Sequence, residues 1–256
     1  MAKISVVIPA KNEALNIGWV LERIPPYVDE VIIIDGLSTD GTLDVARMIA
    51  PDVIVVHEDQ PGKGAAMRAG FDAARGDYVV AIDADGSMDP REIGGYIETL
   101  GLGFDLVKGS RLLPGGGSTD MTPLRRFGNA RLRDLLNLLY GVRFSELCYG
   151  FMAIRRSRLA ELRLRANGFE IETEIVTRSI RCGLRIAELP SVELPRRNGE
   201  SNLNTFRDGW RVLVELVKQR SRGMLRPEPA SFEPIAFRVE QSETTESSSH
   251  ADPVRG

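Results

Sequence analysis

The sequence predicts an α/β fold around a central, mostly parallel sheet flanked by helices. Two observations carry this. Short β-branched runs alternate with stretches of helical periodicity, and the runs are apolar at nearly every position rather than every second one, as strands covered on both faces must be. In addition, polar and acidic residues follow directly on the strand-like runs, where open α/β sheets hold their ligands.

The run ISVVIP (4–9) reads as a buried strand, followed by a helix over 15–24. VIIID (31–35) is a second strand, then a turn and a helix from Thr42; VIVVH (53–57) is a third, with a helix over 65–74. YVVAID (78–83) is a fourth. These units make a Rossmann-like half, with right-handed crossovers expected between parallel strands. A helix follows Pro90, and DLVKGSR (105–111) is a fifth strand. PGGGS (114–118) reads as a flexible loop, and 124–140 as an arginine-rich helix. A strand over 151–156, a helix over 172–182, a strand-like stretch over 184–194 with a turn near Pro190, and an amphipathic helix over 206–219 complete the pattern. The expected organisation is one domain over 1–226, its nucleotide-binding half spanning about 1–112 and its acceptor half about 113–226. From Pro227 onward Pro, Glu, Ser and Thr dominate, so 227–256 is expected to be a disordered tail.

Composition narrows the function classes. The 256 residues are 43% hydrophobic and 27% charged, with a formal net charge of -3, which speaks against a nucleic-acid binder. Cys148 and Cys182 have no metal-ligand spacing, and the histidines are His57 and His250, so a His-rich zinc site is not expected. The cysteine usage fits a reducing cytoplasm. The N-terminus enters a strand pattern without the features of a signal peptide, and no run approaches the about 18 apolar residues of a spanning helix. A membrane role is therefore expected to be peripheral.

Asp83-Ala84-Asp85 is the strongest chemical signal. Two carboxylates two residues apart beyond a strand end can share a hard divalent cation, Mg²⁺ or Mn²⁺, which then bridges a diphosphate. A solvated D-x-D-G turn would look the same in isolation. Pro9, Ala10, Asn12 and Glu13 end the first strand and Asp35 the second, so Glu13 and Asp35 can accept hydrogen bonds from a base or a ribose. Asn12 and Asp40 also suit helix caps, and for Asp40 that reading is preferred. GKGAAMRAG (62–70) opens a helix with glycines and Lys63; it fits phosphate binding or tight packing equally, and matches neither a P-loop nor G-x-G-x-x-G.

Together and in this order, these motifs resemble family 2 glycosyltransferases of the GT-A fold, a Rossmann-like nucleotide-diphospho-sugar transferase architecture. The resemblance is strongest to polyprenyl-phosphate sugar synthases and covers about 4–203. It implies that Pro9, Asn12, Glu13 and Asp35 hold the nucleoside and that Asp83 and Asp85 hold the metal. Lys63-Gly64, Gly109-Ser110-Arg111, Glu146 ahead of Gly150-Phe151, and Arg196 with Gly199 and Ser201 map onto further family motifs. It implies an inverting transfer of a hexose from a nucleotide-sugar, UDP-glucose or GDP-mannose, to polyprenyl phosphate at the inner face of a membrane. Gly36, Ser87, Tyr149 and Glu146 depart from the common pattern and leave the donor base open.

On that reading Lys63, Arg111 and Arg196 are phosphate contacts, since Arg suits bidentate oxygen recognition. Glu146 is a base if the acceptor is a hydroxyl, or else a structural partner of an arginine. Arg125, Arg126 and Asn129, on a helix that also carries Arg131, Arg133, Phe127 and leucines, are acceptor-side residues facing a lipid phosphate. The last helix repeats the pattern, with Trp210, Leu213, Leu216 and Val217 read as one stripe. The alternatives are a soluble small-molecule acceptor, a sugar nucleotidyltransferase, which normally has a Gly-rich loop where Ala10-Lys11-Asn12-Glu13 stands, and a non-catalytic nucleotide-sugar binder. Oligomeric state is not legible.

Overall fold

A computed structural model of the chain describes residues 1–199, 205–221 and 232–234. Its elements run β1 (Ile4–Ala10), α1 (Ile17–Leu21), β2 (Glu30–Asp35), α2 (Thr42–Ile49), β3 (Ile54–His57), α3 (Lys63–Ala73), β4 (Tyr78–Ala81), a 3₁₀ turn (Pro90–Glu92) and α4 (Ile93–Gly101). There follow β5 (Leu106–Ser110), β6 (Gly117–Ser118), α5 (Pro123–Tyr140), β7 (Met152–Arg155), α6 (Arg156–Leu162), α7 (Ile171–Arg181), β8 (Ile186–Pro190), β9 (Val192–Glu193), α8 (Thr205–Ser221) and β10 (Phe232–Pro234). The large sheet has the order β10-β8-β5-β7-β4-β1-β2-β3. It is parallel except for β7, which runs antiparallel between β4 and β5. This is the mostly parallel mixed sheet the sequence predicts.

The strands are apolar on both faces because the sheet feeds two cores. Val6, Ile8, Ile33 and Val80 pack on one face with Ile17, Val20, Tyr96 and Leu100 from α1 and α4. Their neighbours Val7, Ile32, Ile34 and Val79 pack on the other with Met67, Phe71, Ile175 and Leu216 from α3, α7 and α8. Alternation of side chains across a strand turns one apolar run into two half-cores.

Three expectations are corrected. The fourth strand stops at Ala81, so Asp83 lies beyond the sheet with Asp85, in the turn that follows. The 114–118 segment is not wholly loop, since Gly117 and Ser118 pair in parallel with Val192 and Glu193. The expected tail contributes Phe232–Pro234 as an edge strand paired with Ile186–Glu188 of β8, while the rest of 227–256 lies outside the described residues, as does Ser201. Helix α6 was not foreseen. Among the described residues no helix is long and apolar enough to cross a membrane.

Candidate functional site

The site forms where β1, β2 and β4 end side by side. Val7 accepts from the Ile82 amide just past the end of β4, so Pro9, facing the same way two residues on, meets no further strand and its missing N–H leaves no bond unmade. Ala10 pairs with Asp35 in register and accepts from the Gly36 amide at 2.9 Å. Asn12 has a φ of 56°, a left-handed conformation Asn tolerates, and it ties the two strand-end loops together. Its amide donates to Ser38 Oγ and its Oδ1 accepts from the Thr39 amide, each at 2.9 Å. Asp35 is buried, accepts from the Ser38 amide at 3.1 Å and lies 3.3 Å from His57 Nδ1 at the end of β3. Gly41 is the N-cap of α2, and Asp40, one residue ahead of it, accepts from the Thr42 amide and hydroxyl and from the Ala14 amide.

Each aspartate of the DAD turn faces a cation of this chain. Lys63 Nζ lies 2.6 Å from Asp83 Oδ1, 2.9 Å from Asp83 Oδ2 and 2.9 Å from Glu172 Oε1. Burial alone would lower the Lys63 ammonium, but the carboxylates of Asp83 and Glu172 hold it well above the ordinary lysine range. Asp83 is pushed up, first by burial and then by Asp85 and Glu172, with Lys63 opposing. Gly150 makes room for the cluster: a Cβ there would stand 2.6 Å from Lys63 Nζ and 2.9 Å from Glu172 Oε1. The start of α3 is a packing joint rather than a free anion cradle. The Gly64 and Ala65 amides donate to the Asn167 carbonyl at 2.8 and 3.2 Å, and a Cβ on Gly64 would meet the Ala166 oxygen at 2.4 Å.

Arg196 plays the matching part at Asp85. Its Nη1 lies 3.1 Å from Asp85 Oδ2 and its Nη2 2.5 Å from Glu13 Oε1, so it bridges the end of β1 to the DAD turn. Asn16 Nδ2 donates to the other Glu13 oxygen at 2.6 Å, and the Ser87 amide to Asp85 Oδ1 at 3.0 Å. Ala84, between the aspartates, is buried. The segment carrying Arg196 is pinned over the turn by Leu194 N to Ser87 O at 2.9 Å and Arg197 N to Asp85 O at 3.3 Å.

Arg111, expected among the phosphate contacts, is held in a separate set of ion pairs. It is buried, and its Nε and Nη2 donate to Glu146, its Nη2 also to the Cys148 carbonyl at 2.7 Å, and its Nη1 pairs with Glu193 at 2.8 Å. Glu146, also buried, accepts in addition from the Arg111 amide at 2.7 Å, so both of its oxygens are engaged by Arg111. Below the pair, the wholly buried Lys108 donates to the Tyr149 carbonyl at 2.5 Å, and Glu188 accepts from the Ser145 and Glu146 amides. Burial pushes the Lys108 ammonium down and the Glu188 carboxyl up. This layer fixes the 145–150 segment that delivers Gly150 to Lys63. Glu146→Ala leaves the buried Arg111 with Glu193 as its remaining carboxylate, at a cost of about 3–5 kcal/mol, and thermal unfolding should show Tm lower by about 6–12 °C or more.

Arg125, Arg126 and Asn129 lie on α5, apart from this cluster. Arg125 pairs with Asp120 at 3.2 Å, Arg126 is exposed, and α5 packs against α8 through Tyr140 Oη to the Leu216 carbonyl at 3.1 Å. Sequence reasoning missed Glu172, Lys108 and Glu188. A lysine inside an apolar strand was the available signal for Lys108; Glu172 sits at a helix start, where an acid is expected for the dipole alone.

Among the described residues no group of three or more His, Cys, Asp or Glu side chains could hold a metal by itself. Asp83 and Asp85 supply hard oxygens, which fit Mg²⁺ or Mn²⁺ when a diphosphate completes the coordination. The family model for glycosyl transferase family 2 matches residues 5–163. The chain belongs to that family. Within family 2 it is 32% identical over 225 residues to glycosyltransferase AglJ of Haloferax volcanii, covering 84% of this chain and 71% of that protein. It is 33% identical over 244 residues to polyprenol monophosphomannose synthase of Mycolicibacterium smegmatis, covering 86% and 91%. Among solved structures it resembles glucosyl-3-phosphoglycerate synthase from Mycobacterium tuberculosis, in complex with Mn²⁺, UDP-glucose and phosphoglyceric acid, with a TM-score of 0.69 and 27% identity over 86% of this chain and 80% of that one. This family 2 glycosyltransferase therefore shares the GT-A fold.

Proposed function

We propose that this family 2 enzyme moves a hexose, with inversion, from a nucleotide-sugar to polyprenyl phosphate at the inner face of a membrane, using Mg²⁺ or Mn²⁺. The observation that carries the reading is the paired neutralisation of the DAD turn, Lys63 on Asp83 and Arg196 on Asp85, at the ends of β1, β2 and β4. Such a site is balanced for an incoming diphosphate with its cation. Asp83 and Asp85 would hold the cation, which neutralises charge on the leaving nucleoside diphosphate. Glu13 and Asp35, with Pro9, Ala10 and Asn12 shaping the cleft, accept from the nucleoside. Lys63 and Arg196 turn from carboxylate to phosphate oxygens as the donor enters.

The acceptor phosphate is already ionised, so no general base is needed. The engagement of Glu146 by Arg111 fits that chemistry, with Glu146 acting as a positioning residue. The acceptor-side contacts are assigned to Arg125, Arg126 and Asn129 on α5.

A second reading, transfer to a soluble phosphorylated acceptor, is favoured by the solved neighbour that binds phosphoglyceric acid. The test is transfer from UDP-glucose and from GDP-mannose, each with Mn²⁺ or a chelator, to detergent-dispersed polyprenyl phosphate or to phosphoglyceric acid. Metal-dependent product on the lipid, with the anomeric configuration inverted by NMR, is expected. Product on phosphoglyceric acid alone selects the soluble acceptor, and no product with either donor overturns both readings.

A further inference from the structure

We infer that the outward face of α8 docks the protein on an anionic lipid surface. The inference rests on the lipid-acceptor reading for its purpose, but its evidence is separate. Helix α8 has two apolar faces rather than the single stripe its sequence suggests. Val212 and Leu216 point into the core, and Asp208, Glu215 and Gln219 are buried with them. That inner face is enough to seat the helix against α5 and α7. The opposite face, spaced at 206, 210, 214 and 217, leaves Phe206 79%, Trp210 64%, Val214 44% and Val217 52% exposed. These side chains keep about half or more of their area in water, so that apolar area is available to another phase.

The charges say which phase. Arg207, Arg211 and Lys218 are exposed along one edge of this face and reach back to the buried acids, Arg207 and Arg211 to Asp208 and Lys218 to Glu215. With Arg220 the helix carries four cations against those two acids, so its outer side stays cationic. A face of Trp, Phe and valines edged by long cationic side chains suits the boundary between headgroups and acyl chains: the rings lie at the interface and the cations meet anionic lipid. A second copy of this chain fits less well, because symmetric pairing through the face would bring together two helices that each carry four cations against two acids, both acids buried. The neighbouring α5 adds exposed Leu124, Phe127, Leu138 and Arg126, while its Arg131 is paired with the exposed Asp134. The chain as a whole carries a net charge of -3, so this basic face is a local feature.

The experiment is co-sedimentation of the full chain with vesicles of phosphatidylcholine alone and of equal parts phosphatidylcholine and phosphatidylglycerol, without donor or polyprenyl phosphate. Binding to the anionic vesicles, weakened by salt, is expected. Phe206→Ala with Trp210→Ala should weaken it about tenfold or more, and Arg211→Glu with Lys218→Glu by a similar factor. A blue shift of tryptophan fluorescence on vesicle addition should vanish in Trp210→Phe, which retains binding and keeps the second tryptophan, Trp19. Equal binding to neutral vesicles, no binding, or a concentration-dependent dimer that buries Trp210 each overturns the proposal. The transfer reading is tested separately with dispersed acceptor, so either can fail while the other stands.

Discussion

Lys63→Met is expected to abolish transfer and to destabilise the fold at once. The substitution keeps the length and apolar stem of the side chain but removes the charge between Asp83 and Glu172. Two carboxylates then face each other without their cation, and breaking such a pair costs about 3–5 kcal/mol when fully buried. Asp83 remains 30% exposed, so screening by solvent brings the figure to the lower end, about 3 kcal/mol, or about 6–12 °C in Tm. The pH dependence distinguishes this loss from a packing defect. In the variant the Asp83 carboxyl, already pushed up, loses the one group that lowers it. Its folded form then holds a proton that its unfolded form has released, so stability should fall as pH rises from the ordinary 3.8 through the raised value. In the wild type the Lys63 ammonium is held above its ordinary 10.5, so its contribution is fully present below that pH and is lost only as pH rises through the raised value. Thermal unfolding across the acid and neutral range should therefore show a falling slope in Lys63→Met beyond that of the wild type. Parallel curves would remove Lys63 from its place as the electrostatic clamp of the site.

The strands that build the site were legible because burial on both faces writes itself into the sequence as unbroken apolar runs, and because Pro9 and Asp35 stand at the ends of β1 and β2 and the DAD turn just past β4. Local signals of this kind survive without knowledge of the fold. Pairings across long sequence separations do not. Nothing local to Arg111 shows that its guanidinium is held by Glu146, 35 residues on. Glu172 and Glu174 are alike as acids in the first turn of α7, yet Glu172 turns to Lys63 while Glu174 accepts from the Arg165 and Ala166 amides. No local pattern separates the two, because the difference lies in what the 166–168 loop and α3 bring to each side. The two-residue strands β6 and β9 are too short to show a period, and their pairing depends on Gly117 meeting Val192 from 75 residues away in the chain. In α8 the sequence supplied the right residues but grouped them on one face; exposure divides them between a core side and an outer side.

Asp85→Asn should do the reverse of part of what Lys63→Met does: activity goes and the fold stays. Asparagine keeps the size of the side chain and an oxygen to accept from the Ser87 amide, now 3.0 Å from Oδ1. Arg196 loses one carboxylate but keeps Glu13 at 2.5 Å and the Asn198 carbonyl at 2.8 Å, so its charge is not stranded. Asp85 and Arg196, at 21% and 18% exposed, are about as enclosed as Asp83 and Lys63, but here no buried charge is left without a counter-ion, so the cost should be about 1 kcal/mol and Tm should move by no more than about 2–4 °C. The chemistry has no such reserve. With one hard anionic oxygen of the DAD turn gone, binding of donor with Mn²⁺ should weaken and kcat fall about 10²–10³-fold, the scale of losing one preorganised charge-stabilising group. The comparison turns on what each substitution leaves behind: without Lys63 the carboxylates of Asp83 and Glu172 lose their shared cation, whereas without the Asp85 charge Arg196 still has Glu13, just past β1. Titration of Mn²⁺ in the transfer assay, read beside thermal unfolding of the same preparation, separates the two roles. Metal-dependent turnover within tenfold of wild type in Asp85→Asn would place the cation elsewhere, whatever the stability showed.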